Sequence, residues 1–91
     1  MPVKDTTNCM GYQQITNVSA AVGLTPPSGA LKALIISDNA GFRWRDDGVN
    51  PTASVGMPVS QGAFLAYDGD LNSIKFIQTG VNAVLNVSYY R

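Results

Sequence analysis

Apolar and polar residues change places along this chain in short runs with a period of two. Residues 30–38 (Ala30-Leu31-Lys32-Ala33-Leu34-Ile35-Ile36-Ser37-Asp38) form a mostly apolar run bounded by Gly29 and by Asn39-Ala40-Gly41, which predicts a well-buried strand too short for most helices. Beyond that turn Phe42 and Trp44 alternate with Arg43 and Arg45, placing two aromatics on one face and two guanidiniums on the other. The cluster Asp46-Asp47-Gly48-Val49-Asn50-Pro51-Thr52 predicts a loop. Val55, Met57 and Val59 then occupy alternate positions, and Gly56 and Pro58 between them predict an edge or bulged strand, because proline cannot donate to ladders on both sides. Gln61-Gly62 turns the chain into a strand over 63–67, and Asp68-Gly69-Asp70 turns it again into 73–78, where Ile74 and Phe76 share a face. Thr79-Gly80-Val81-Asn82 is expected to close a last hairpin into the strand 83–90, with Leu85, Val87 and Tyr89 on one side and Val84, Asn86, Ser88 and Tyr90 on the other.

Strands at this spacing, separated by turn residues, predict an all-β fold: a small β-sandwich or jelly-roll-like barrel of about six to eight short antiparallel strands. Composition agrees, since Val, Ile, Thr, Tyr and Phe with Gly, Asn, Ser and Pro outweigh the strong helix formers. Residues 1–28 read as an extended N-terminal arm with a possible first strand around Tyr12–Val18, and residues 29–91 as the sandwich domain. The first dozen residues carry no apolar pattern of their own, so they are expected to be either mobile or ordered by a neighbour.

With 91 residues there is room for one domain, at a size where small proteins lean on partners or staples. The single cysteine, Cys9, excludes a disulfide within the chain, and the absence of histidine removes the commonest zinc ligand and general base. No glutamate is present either, which leaves six aspartates as the side-chain carboxylates. An enzyme is therefore not expected, nor a metal or other cofactor. Six basic residues balance six acidic ones, so no basic field exists to hold nucleic acid or an anionic membrane surface. The longest apolar stretches fall far short of a membrane span of about 20 residues, and no charged and apolar leader opens the chain, so neither a membrane segment nor a cleaved signal is expected.

Three features remain as candidate sites. Asp68-Gly69-Asp70-Leu71-Asn72-Ser73 has oxygen donors at alternate positions like the first half of a calcium loop, but Ser73 and Thr79 stand where the glycine and glutamate of an EF-hand belong, so turn chemistry is the better account. Arg43, Arg45, Asp46 and Asp47 suit a binding interface better than acid/base catalysis, because adjacent aspartates on an extended chain point apart. In the ending Tyr89-Tyr90-Arg91 an extended chain sends one tyrosine inward, which leaves Tyr90 and Arg91 as further candidate interface residues. Cys9, with no base beside it in sequence, is assigned no catalytic role.

Several stretches taken together carry a family resemblance: Pro27-Ser28-Gly29-Ala30 to Ile36; Phe42-Arg43-Trp44-Arg45-Asp46-Asp47-Gly48 through Pro51-Thr52-Ala53 to Gly56-Met57-Pro58-Val59; Tyr67-Asp68-Gly69-Asp70-Leu71; Ile74-Lys75-Phe76-Ile77; and Leu85-Asn86-Val87-Ser88-Tyr89-Tyr90. Over about two thirds of its length the chain resembles small virion structural proteins of tailed bacteriophages. That resemblance implies a particle-surface protein made in the host cytoplasm: a capsid decoration or cement protein, or a head or tail accessory protein. Its expected partners are the major capsid protein or another virion protein and further copies of itself, as dimers or trimers. The alternative expectation is an accessory module whose loops, around Asp46–Thr52 and Asp68–Asn72, bind a host-surface carbohydrate.

Overall fold

Residues 8–91 are described by the computed structural model, and their regular structure is eight strands: β1 (Cys9–Ile15), β2 (Val22–Gly23), β3 (Lys32–Asp38), β4 (Phe42–Arg45), β5 (Met57–Val59), β6 (Phe64–Tyr67), β7 (Lys75–Gln78) and β8 (Val84–Tyr90). They form two antiparallel four-stranded sheets, ordered β1-β8-β3-β6 and β2-β7-β4-β5, that bury one face of each against the other. The class is an all-β two-layer sandwich.

Side-chain alternation explains the layering. Along β8 Leu85, Val87 and Tyr89 are buried while the residues between them are partly exposed, and on the paired β3 Ala33, Ile35 and Ser37 turn inward. From the other sheet Phe42, Trp44 and Phe76 point back at them, with the rings of Phe42 and Phe76 meeting edge to face at 5.7 Å. Ile15 and Val18 belong to the same core, so the chain before residue 28 contributes two strands, β1 and the short β2, and two buried core residues to the sandwich. Residues 1–7, the start of the expected arm, lie outside the described residues. Cys9–Tyr12, by contrast, run within β1, because the ladder with β8 continues past the last alternating residue to the Asn8–Arg91 bond pair.

The turns behave differently from their expectation. Only β4 and β5 are neighbours both in sequence and in a sheet; every other connection carries the chain from one sheet to the other. The turn at 68–70 and the expected hairpin at 79–82 are therefore crossovers. Asn39 and Asn82, each at positive φ (72° and 62°), reverse the chain in two of these crossovers, and the Asn39 side-chain amide donates to the Asn82 carbonyl at 3.1 Å. The loops 24–31, 46–56 and 68–74 gather with the C-terminus at the opposite end of the sandwich.

Candidate functional site

Two surfaces carry the unusual side chains: the loop end and the outer face of the β1-β8-β3-β6 sheet. At the loop end Arg45 and Asp47 form a bidentate pair, with Nε donating to Oδ1 at 3.0 Å and Nη2 to Oδ2. This bond holds the Asp47 carboxyl below its ordinary range and the Arg45 guanidinium above its own. Asp46 turns the other way and accepts the Tyr67 hydroxyl at 2.7 Å. Tyr67 packs edge to face on Trp44 at 5.7 Å, and its burial, followed by the Asp46 hydrogen bond, pushes its hydroxyl up to about 12.

Arg43, on the far face of β4, reaches over the 46–56 loop. Its Nε donates to the Ala53 carbonyl at 3.2 Å and its Nη1 to the Gly56 carbonyl at 2.8 Å. The two arginines and two aspartates are thus close in space, but each is committed to a partner within its own chain. Asp46 and Asp47 do not converge on a common point, as alternation implies.

Between the 26–32 segment and the 68–72 loop lies an open groove of about 730 Å³ that contains Lys32, Asp68 and Asp70. Asp70 is occupied locally: its carboxylate accepts the Asn72 amide at 2.9 Å and the Ser73 hydroxyl at 2.7 Å, bonds that lower its pKa and close the turn. Among the described residues no group of three or more metal-ligating side chains comes together. Tyr90 stands on the outer sheet face, beside Lys32 and Asp68, and Arg91 follows it at the exposed end of the chain.

The outer face of the β1-β8-β3-β6 sheet has two unlike halves. On β1 and β8, Tyr12 donates to Asn86 at 2.6 Å, Gln14 donates to the same oxygen at 3.1 Å, and the Asn86 amide donates to Asp38 at 2.9 Å. On β3 and β6 the cross-strand pairs are Leu34 with Ala66 and Ile36 with Phe64, all apolar. Phe64 is 66 % exposed and Ile36 37 %. Cys9 lies on the polar half as a free exposed thiol near the Ser88 hydroxyl.

Sequence reasoning identified Phe64 as a strand residue and missed it as a surface feature. The signal was available in the absence of any charged residue between Asp47 and Asp68, which leaves that strand without the usual solvating side chains. No protein-family model matches this chain, and no curated protein and no solved structure is similar enough to it to count as a match.

Proposed function

We propose that this protein is a structural component of a phage particle, a decoration or cement protein that binds the head shell through the apolar half of its outer sheet face. The observation that carries the reading is Phe64, a large aromatic left two-thirds exposed beside Ile36 on an open sheet edge. The resemblance to phage virion proteins supports it from the sequence side. Attachment is passive in this reading: each copy contributes a modest apolar contact, and many copies on a symmetric shell add avidity. Co-sedimentation with empty heads of the cognate phage tests it. Saturable binding that survives raised salt is the expected result, and protein left wholly in the supernatant overturns it.

The groove between 26–32 and 68–72 favours a second reading, an accessory module that binds a carbohydrate on the host surface. Lys32 and Asp68 offer polar groups to a sugar there, while the Trp44 and Tyr67 rings pack on each other. Binding to a glycan array that is lost in Asp68→Ala would favour this reading over the first.

A further inference from the structure

A sheet edge exposes unpaired backbone groups, and folded proteins blunt such edges with proline, charge, bulges or brevity. Three of the four edges here are blunted. β5 is three residues long and has Pro58 at its centre, β2 has two residues, and β1 is bulged between Cys9 and Gly11. Beside β1, moreover, runs the segment whose Thr25 amide bonds the Gln13 side chain at 3.1 Å. The fourth edge, β6, reads Phe64-Leu65-Ala66-Tyr67, with no proline, charge or bulge.

The hydrogen-bonding direction of β6 follows from its neighbours. Arg91 exchanges both backbone bonds with Asn8, so the odd residues of β8 face β1 and the even ones face β3; Tyr90 accordingly accepts the Leu31 amide. On β3 the odd residues are then left to face β6, and Ser37 accepts the Gly62 amide in agreement. Leu65 and Tyr67, the partners of Ile35 and Ala33, therefore bond inward to β3. Phe64 and Ala66 aim their N–H and C=O groups outward, away from the sheet.

We propose that β6 is a homotypic docking edge: two copies of this chain pair β6 against β6, antiparallel about a two-fold axis at Leu65. In that register Phe64 of each copy lies opposite Ala66 of the other, and each such pair exchanges both backbone bonds. The large ring falls beside the small methyl, so the outer face closes without a clash between rings. Charge is compatible as well, because no charged residue occurs from Gly48 to Tyr67 and the two-fold places each Asp68 opposite a glycine, Gly62. The product is one eight-stranded sheet whose outer face carries an unbroken apolar band of Leu34, Ile36, Phe64 and Ala66 from both copies. Such a pairing removes about 400 Å² per copy from water, half the roughly 800 Å² per partner of a stable free-standing interface, so the dimer is weak in solution. A second copy fits this edge better than a foreign strand, since the two-fold register satisfies size, charge and hydrogen bonding with one sequence.

The pairing concerns the free protein and stands whether or not the protein binds a capsid. Amide hydrogen exchange by NMR on purified protein, between about 10 μM and 1 mM, spans the range in which so small an interface populates. Expected is at least about tenfold slower exchange at Phe64 and Ala66 at the upper concentration, with Leu65 and Tyr67 already slow at the lower one. Phe64→Lys removes the concentration dependence. Ala66→Pro does the same through loss of an outward donor, so the test does not hang on one variant. Exchange at Phe64 and Ala66 that is independent of concentration overturns the proposal, as does a dimer whose protected amides lie on another strand.

Discussion

β5 and β6 lie at the same side of the sandwich, one at the edge of each sheet, and are finished in opposite ways. β5 is short, broken by Pro58, and entered from a loop that Arg43 ties down through the Ala53 and Gly56 carbonyls. β6 carries no such device and begins with an exposed phenylalanine. A protein that spends an arginine and a proline on one edge and leaves its neighbour apolar has a protected side and an available one. The contrast also separates the candidate residues. Arg43, Arg45, Asp46 and Asp47 are each bonded within their own region, whereas Phe64 is left two-thirds exposed by the described residues and its neighbour Ile36 more than one-third.

The comparison can be broken most severely at Gly56, which sits at φ 141° where a Cβ would stand 3.1 Å from the Arg43 Cβ and 3.2 Å from the Trp44 carbonyl oxygen. Gly56→Ala is expected to destabilise the fold by about 3 kcal/mol, read as a lowered urea midpoint, because backbone strain and crowding add. Next comes the bond that ties β6 to the start of the 46–56 loop, Tyr67 to Asp46. Its folded-state pKa lies above the unfolded value of about 10, so the folded state keeps its proton longer. This contribution, set by burial first and the Asp46 bond second, is complete below pH 10 and is lost as pH rises from 10 towards 12, on the order of 2–3 kcal/mol. Tyr89, also raised by burial, acts in the same direction. In Tyr67→Phe the slope of stability against pH above 10 should shrink, as followed by denaturation at fixed pH values.

Arg43→Ala is expected to cost about 1.5 kcal/mol by freeing the 46–56 loop, with faster amide exchange across that loop and none of the change at β6. A smaller effect of opposite sign is expected at Ser37. Its hydroxyl is fully buried on the inner face of β3 with no hydrogen-bond partner among the described residues, so Ser37→Ala should stabilise by about 1 kcal/mol in thermal unfolding. Least of all should Phe64→Lys alter stability, within about 0.5 kcal/mol, since the ring contacts mainly solvent. That near-silence in stability is what makes it a clean probe of binding.

How far these regions were legible in the sequence follows from what each signal encodes. Period-two alternation is local, so Leu85, Val87 and Tyr89 were assigned correctly to one face of the last strand, and Phe42 and Trp44 to one face of β4. Turn residues are local too, yet they specify a reversal and not its destination. Asp68-Gly69-Asp70 and Thr79-Gly80-Val81-Asn82 mark real reversals, but whether the chain returns beside its predecessor or crosses to the opposite sheet depends on which apolar faces meet. β1 begins at Cys9, ahead of the expected Tyr12, because its register is imposed by β8 from the far end of the chain. At the candidate site the residues were legible and their partners were not: Asp46 meets Tyr67 across 21 positions, and Arg43 meets backbone carbonyls that have no sequence signature. Exposure of Phe64 was hidden for the same reason, since alternation says that Phe64 and Leu65 face opposite ways without saying which way is in.

The most direct test of the central claim, that this protein works through the open β6 side and not through its charged loop end, is head binding measured side by side for the wild type, Phe64→Lys and Arg45→Ala. Loss of binding in Phe64→Lys with wild-type binding in Arg45→Ala is the expected result. Full binding by Phe64→Lys, or loss confined to Arg45→Ala, would contradict it.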